Sequence, residues 1–223
     1  MGEPLIKMNV TKSFPELELG KDKILGIGGS PRKGGNSDVL LKHILKGAEK
    51  EGVPTETVQL RNYDFKPCIG CEKCRKDRIC TGLNDGMTLL YPKYIEARGL
   101  VLVSPSHWYF FSAMMKAFID RLYCLFQFPE GRNYIGKGYG CSTGHHKRKM
   151  VGAMVCEQPL PEGIGYTWET MALWMRDLET QIVDKLAVGS AFALGEVKKN
   201  GEDLKKAEVM GVKLAQAIKK DPL

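Results

Sequence analysis

At 223 residues, with 43% hydrophobic and 26% charged residues, the chain suits one large domain with a substantial buried core. A formal net charge of +7 raises the question of nucleic acid, but the lysines are scattered along helix faces and no nucleic-acid module appears, so a solvated surface is expected. No apolar stretch approaches a membrane span, the first twenty residues lack the apolar run of a signal peptide, and Ile6 stands where a myristoylation motif needs Ser or Thr, so the expectation is a cytoplasmic protein with no membrane partner.

Residues 1–22 are polar and aperiodic and read as an N-terminal arm, leaving 23–223 as the folded domain. Ile24 to Gly28 reads as a buried first strand. The loop after it, Ser30-Pro31-Arg32-Lys33-Gly34-Gly35-Asn36-Ser37, opens into a helix over Asn36 to Glu51. That helix carries Val39, Leu40, Ile44, Leu45 and Ala48 on one face and stops at Gly52. Backbone donors at a helix start, the hydroxyls of Ser30 and Ser37 and the forked guanidinium of Arg32 make a phosphate cradle. A Walker A loop needs Gly-Lys-Ser/Thr where this chain has Gly35-Asn36-Ser37, and the dinucleotide fingerprint needs glycine where it has Pro31. A monophosphate such as that of FMN, held without metal, remains. An ordinary turn and N-cap accounts for Ser37 and the glycines but not for Arg32 together with Ser30.

A second strand, Thr55 to Leu60, leads into Cys68, Cys71, Cys74 and Cys80, a CxxCxxCx5C run. Thiolates are soft ligands, and two residues between cysteines let successive sulfurs turn onto one small object. Four of them supply the ligand set of a [4Fe-4S] cubane. Structural zinc also accepts four cysteines, but usually from two CxxC knuckles far apart, whereas Cys124, Cys141 and Cys156 stand singly. Disulfides are the third reading and need an oxidising compartment that nothing else indicates. Lys66, Lys73, Arg75, Lys76 and Arg78 interleave with the cysteines. They read either as charge that offsets a negative cluster and docks an acidic electron donor, or as an ordinary charged surface loop.

Gly99 to Val103 is a third strand, apolar enough to be buried on both faces. It is followed by Ser104-Pro105-Ser106-His107-Trp108-Tyr109-Phe110-Phe111. Aromatics at the mouth of a sheet, beside a phosphate cradle, suit a flat ring system, with Pro105 and Ser106 presenting backbone groups to the pyrimidine edge of a flavin. Phe110 and Phe111 read as core anchors, and His107 as either a proton donor or a structural residue. Ser112 caps a helix in which Ala113, Ala117, Phe118, Arg121, Leu122 and Leu125 recur at helical spacing. The glycine-rich, basic stretch 136–149 reads as a flexible loop, with a lid or a nicotinamide-dinucleotide phosphate contact as the alternatives. Met150 to Cys156 and Leu186 to Leu194 are the fourth and fifth strands. Trp168, Met171, Met175, Leu178 and Ile182 step along a helix between them, and Asp203 to Lys219 makes the last helix.

Five strands alternating with helices predict an α/β fold, a flavodoxin-like doubly wound parallel sheet of order 2-1-3-4-5 with a cysteine-rich, cluster-binding insertion, residues 66–84, after strand 2. Ligands of such sheets bind beyond the carboxyl ends of the strands. The loops after strands one and three therefore lie at the functional edge.

GSPRKGGNS after the first strand and PSHWYFFSAMMKAFIDR after the third resemble the two FMN loops of the NADPH-dependent FMN reductase branch of flavodoxin-like proteins. With CIGCEKCRKDRIC between them, the chain resembles the iron-sulfur flavoprotein family of anaerobic archaea and bacteria over roughly residues 23 to 195. The resemblance implies one FMN and one [4Fe-4S] cluster per chain, in a homodimer or homotetramer where the cluster of one subunit faces the flavin of another. It implies Ser30, Arg32, Asn36 and Ser37 on the phosphate, Pro105, Ser106, His107, Trp108 and Tyr109 around the ring, and Cys68, Cys71, Cys74 and Cys80 on the cluster. No catalytic residue is singled out. The activity expected is that of an oxidoreductase relaying electrons from a one-electron donor such as ferredoxin to a two-electron acceptor. The rivals are an NAD(P)H-dependent FMN or quinone reductase with a vestigial cysteine site, and a non-catalytic flavin-binding regulator. The chain departs from the family after the fourth strand, where Cys156-Glu157-Gln158-Pro159 replaces small residues.

Overall fold

The computed structural model describes residues 21–77, 80–127, 140–141 and 148–222. Its frame is one sheet built from β1 (Lys21–Gly28), β2 (Thr55–Gln59), β3 (Ala97–His107), β4 (Phe110–Phe111), β5 (Arg148–Val155) and β6 (Thr180–Val188). The order β2-β1-β3-β5-β6 is parallel throughout, and β4 folds back antiparallel on the end of β3. The expectation of five strands in order 2-1-3-4-5 is thus corrected to six strands, 2-1-3-5-6 along the parallel path. A two-residue strand such as β4 is too short to leave a period in the sequence. A separate ribbon pairs Phe126–Gln127 with Gly140–Cys141.

Among the described residues six α-helices accompany the sheet: α1 (Asn36–Lys50), α2 (Cys74–Asp77), α3 (Met87–Glu96), α4 (Ala113–Arg121), α5 (Thr167–Asp177) and α6 (Gly201–Lys220). Strand side chains alternate between two cores. Leu25 and Ile27 of β1, Leu100 and Leu102 of β3, and Met150 and Met154 of β5 point to one face, where Tyr94 of α3, Phe118 of α4 and Met171 of α5 cover them. Ile24, Val101, Val103, Val151 and Val155 point to the other, under Leu40, Ile44 and Leu45 of α1 and Leu214 and Ile218 of α6. Both faces are covered, so the central strands read as continuous apolar runs.

Two expectations about elements are corrected. The last strand is Thr180–Val188, not Leu186 to Leu194, and Ile182 lies in it rather than on α5, which ends at Asp177. β6 is an edge strand with mixed burial, and its polar Gln181, Asp184 and Lys185 hide the strand signal. Helix α3 was not expected, because Pro92 inside it argues against a helix interior. Residues 1–20 of the expected arm lie outside the described residues, while Lys21 and Asp22 open β1. Most of the 136–149 loop also lies outside them. No helix of the described residues is long and apolar enough to cross a membrane.

Among the described residues three arginines are buried, and two of them close the lower rim of the sheet. Arg148 donates to the carbonyls of Ala97, Tyr94 and Ile95 at 3.1, 3.2 and 3.3 Å, with its guanidinium 4.5 Å from the centre of the Tyr94 ring. Arg98 pairs with Asp22 and donates to the Asp221 carbonyl after α6. The third, Arg121, belongs to the cysteine loop.

Candidate functional site

At the carboxyl edge of the sheet a cavity of about 590 Å³ opens between the loops after β1, β3, β5 and β6. Ser30, Arg32, Asn36, Ser37, Pro105, Ser106, His107, Trp108 and Tyr109 all line it. Residues from two loops separated by some seventy positions in sequence thus meet in one space of cofactor size.

The β1 side is built around the start of α1. Gly35 takes the N-cap position and offers no side-chain cap, so the first-turn N–H groups are open to an anion. Ser30 Oγ accepts from Arg32 N at 3.2 Å and folds the loop back on itself. Gly34 N donates to Asp38 Oδ2 at 2.8 Å, and Asp38 is held by Arg61 through Nη1 at 3.0 Å and Nη2 at 2.9 Å. The Arg61 Nη1 also donates to Ser30 O at 3.2 Å, so a partly buried ion pair supports the loop. Asn36 differs from expectation. Its Nδ2 donates to the carbonyls of Ala191 at 3.2 Å and Ala193 at 3.0 Å, and its Oδ1 accepts from Val197 N at 3.1 Å. Both amide protons are spent, so the side chain is a strut between loops rather than a phosphate ligand. What Asn36 offers the cavity is its backbone N–H.

The β3 side is a tight hairpin. Ser106 pairs with Phe111 and His107 with Phe110, leaving Trp108 and Tyr109 as the two turn residues, at φ 53° and 66°. A two-residue turn with both φ positive ordinarily takes Asn-Gly. Here two aromatic residues adopt it, at roughly 1–2 kcal/mol each, and strain of this kind gathers at functional sites. The turn leaves the Trp108 side chain 93% exposed at the cavity mouth. Gly165, at φ 51°, lets the next loop approach: a Cβ there would lie 2.5 Å from Tyr109 O. Ser112 joins the two sides, donating to Gly29 O at 2.6 Å while its own N–H reaches Ser104 Oγ at 3.1 Å and its Oγ caps α4 through Met115 N. Phe111 is buried, as a core anchor should be.

The cavity is completed by residues after β5 and β6. Cys156, Glu157 and Gln158 line it. Burial, and then the Glu157 carboxylate, pushes the Cys156 thiol above its ordinary value. Ala191 and Phe192 also line it and were missed, because setting the last strand at 186–194 buried in a strand what is in fact its carboxyl-end loop.

A second cavity, of about 480 Å³, lies against the far ends of α4 and α5, and Cys68, Cys71, Cys74 and Cys80 all line it. The four sit in the connection between β2 and α3, with free thiols. The neck of that loop is closed by Asp85, which accepts from Lys66 N at 3.0 Å and Met87 N at 3.1 Å, and by Gly86 N donating to Asp64 O at 2.7 Å. Arg121 grips both ends, donating to Lys66 O at 2.8 Å and to the two Asp85 oxygens at 2.7 and 3.1 Å. Burial alone would raise the Asp85 carboxyl; the bonds from Arg121, Lys66 and Met87 outweigh it and hold it below its ordinary value. Within the loop, Gly70 N approaches Cys68 Sγ at 3.5 Å. A Cβ on Gly82 would lie 2.3 Å from Cys71 Sγ, so glycine leaves that sulfur its place. Burial, followed by the neighbouring thiols of Cys80 and Cys68, pushes Cys74 above its ordinary value, so the sulfurs feel one another. Among the described residues, no three His, Cys, Asp or Glu side chains converge on a position for a single metal ion.

A doubly wound parallel sheet with an open helix start and an aromatic hairpin at its carboxyl edge defines a flavodoxin-like protein. The family model for NADPH-dependent FMN reductases matches residues 23–157. An iron-sulfur flavoprotein of Archaeoglobus fulgidus is 32% identical over 198 residues, 88% of this chain and 80% of the relative. The chain therefore belongs to the iron-sulfur flavoproteins of the NADPH-dependent FMN reductase superfamily. An iron-sulfur flavoprotein of Methanocaldococcus jannaschii is 37% identical over 99 residues, 44% of this chain and 51% of that protein. That match spans about half the length of the relative. A solved flavone reductase shares the fold, with a TM-score of 0.65 at 20% identity over 87% of this chain and 62% of that one.

Proposed function

We propose that residues 23–223 form one FMN-binding unit whose 66–84 segment carries a [4Fe-4S] cluster, and that the protein is an electron-transfer oxidoreductase. The observation that carries this reading is the pair of cavities: one walled by the nine residues expected around FMN, the other by four free thiols. Bound there, the two groups would supply exchange between one-electron and two-electron redox chemistry.

The donor chemistry fits each group. On the flavin side, the open N–H groups of Asn36 and Ser37, the Ser37 hydroxyl and the Arg32 guanidinium present donors to a phosphate dianion. The hairpin backbone at Pro105 to His107 faces a ring edge, with Trp108 and Tyr109 as apolar walls. On the cysteine side, a cubane takes one thiolate on each of four irons, so its ligands surround a volume rather than a point. Four free thiols lining one cavity suit that demand.

Among the described residues, none lines both cavities. This separation supports a homodimer or homotetramer in which the cysteine cavity of one copy faces the flavin cavity of another. Exposed Lys66, Lys73 and Arg75 on the cysteine loop suit an acidic one-electron donor of the ferredoxin kind, with NAD(P)H as the competing donor. The test is anaerobic purification with iron, acid-labile sulfide, zinc and flavin counted per chain. Four irons, four sulfides and one FMN are expected. Stoichiometric zinc without sulfide would sink the cluster, and rapid bleaching by NADPH in such a protein would favour a plain flavin reductase.

A further inference from the structure

Two residues that line the cysteine cavity each carry a polar atom that the fold leaves unspent. Trp174, on α5, and Arg121, at the end of α4, both line it. The indole Nε1 of Trp174 and the Nε of Arg121 are buried, and neither has a hydrogen-bond partner among the described residues. Arg121 is 2% exposed, and its two terminal nitrogens are taken by Asp85 and Lys66 O, so the Nε is the donor left over. The carboxylates that line the same cavity are already engaged. Asp120 accepts from Lys116 at 2.5 Å, Asp177 from Arg176 Nη2 at 2.9 Å, and Glu72 pairs with Arg75 at 3.2 Å. None of them accepts from the two N–H groups.

A buried donor without an acceptor is costly and rare in native folds, and it calls for an occupant that accepts. The occupant here has to be rich in weak, anionic acceptors and sit among four thiolates. Cluster sulfides and cysteine sulfurs have that character, and hydrogen bonds to them are one of the levers that set a cluster's potential. We infer that the Trp174 indole N–H and the Arg121 Nε–H donate hydrogen bonds to the sulfur atoms of the cysteine-bound cluster and raise its reduction potential. The inference rests on the cluster reading above and adds to it two donors, from two helices, that no cysteine spacing reveals. The donors stabilise the reduced, more negative state more than the oxidised one, so the sign is fixed: removing either lowers the potential.

The experiment uses the anaerobically purified full chain, with iron, sulfide and FMN counted in every sample. Trp174→Phe keeps most of the ring and deletes the N–H; Arg121→Lys keeps a cation opposite Asp85 and deletes the Nε. A reductive titration read by electron paramagnetic resonance is expected to show a lower cluster midpoint in each variant, a several-fold smaller reduced fraction at a fixed potential, with the FMN midpoint unmoved. An unchanged cluster midpoint in Trp174→Phe overturns the role of Trp174, and in Arg121→Lys that of Arg121. A second readout needs no variant. The chain has three tryptophans, of which Trp174 alone lines the cysteine cavity, so indole-15N labelling of the parent protein is expected to give a nitrogen hyperfine coupling on the reduced cluster. Its absence overturns the inference even if Trp174→Phe loses the cluster. A parent protein without acid-labile sulfide defeats the cluster reading and the inference together, whereas sulfide with unmoved midpoints defeats the inference alone.

Discussion

Asn36 illustrates how one side chain sets the shape of a site that it does not chemically enter. Its amide spans from the start of α1 to the loop after β6, using two donors and one acceptor while 4% exposed. Replacing it by alanine leaves the Ala191 carbonyl and the Val197 N–H without that partner, while the Ala193 carbonyl keeps its bond from Glu196 N, so Asn36→Ala is expected to cost about 2 kcal/mol. Urea denaturation followed by circular dichroism measures that loss. The flavin should bind more weakly as well, because Phe192 and Ala191 lose their anchor. An Asn36→Ala protein as stable as the parent would show that the strut contributes nothing. The aromatic hairpin works at the same scale: Trp108 and Tyr109 hold positive φ angles that glycine would adopt more easily. Both residues line the cavity at the carboxyl edge of the sheet.

Between elements, the closest approach is that of α1 and α6. A Cβ on Gly47 would lie 2.0 Å from Glu208 O, and one on Gly211 1.8 Å from Ile44 O, so the two helices touch backbone to backbone. Gly211→Ala has to push them apart beneath the sheet, with an expected loss of about 3 kcal/mol, read as a lower thermal midpoint. An unaltered midpoint would mean that the helices slide freely. The same pair is clamped at its surface by Glu208, which accepts from Lys50 at 2.5 Å, Lys46 at 2.9 Å and His43 at 3.0 Å. These bonds, that of Lys50 first, hold the Glu208 carboxyl down at about 2. A depressed carboxylate contributes stability that is fully present above its unfolded value, near 4.3, and fades as the pH falls toward the folded value. The parent should therefore lose stability more steeply between pH 4 and 2 than Glu208→Gln, whose stability is lower near neutrality but flatter across that window. Identical acid profiles would contradict the clamp.

Much of this element-level architecture was legible in the letters. The central strands announced themselves because they are buried on both faces, and α1 because Leu40, Ile44 and Leu45 recur at helical spacing. The edge strand β6 did not, since an edge tolerates Gln181, Asp184 and Lys185, and that one displaced boundary hid Ala191 and Phe192 from the site. Helix α3 was masked by Pro92.

For the molecule as a whole, the grouping of the loops was legible: the residues singled out after β1 and β3 meet in one cavity and the four cysteines in another. The sequence could not disclose that the cysteine cavity is finished by Arg121 and Trp174, which come from helices far along the chain and meet the loop only after folding. Nor could it disclose that Arg121, through Asp85, ties the loop's two ends. The neck of the loop is closed by contacts within the protein, and the cavity at the carboxyl edge of the sheet shares none of its described residues with the cysteine cavity. The two cofactor sites should then be separable, and one spectrum decides it. In anaerobically purified Cys74→Ala, the broad visible absorbance of the cluster should vanish while FMN remains bound at one per chain. Loss of FMN together with the cluster would contradict two independent sites and make the cysteine segment a folding staple.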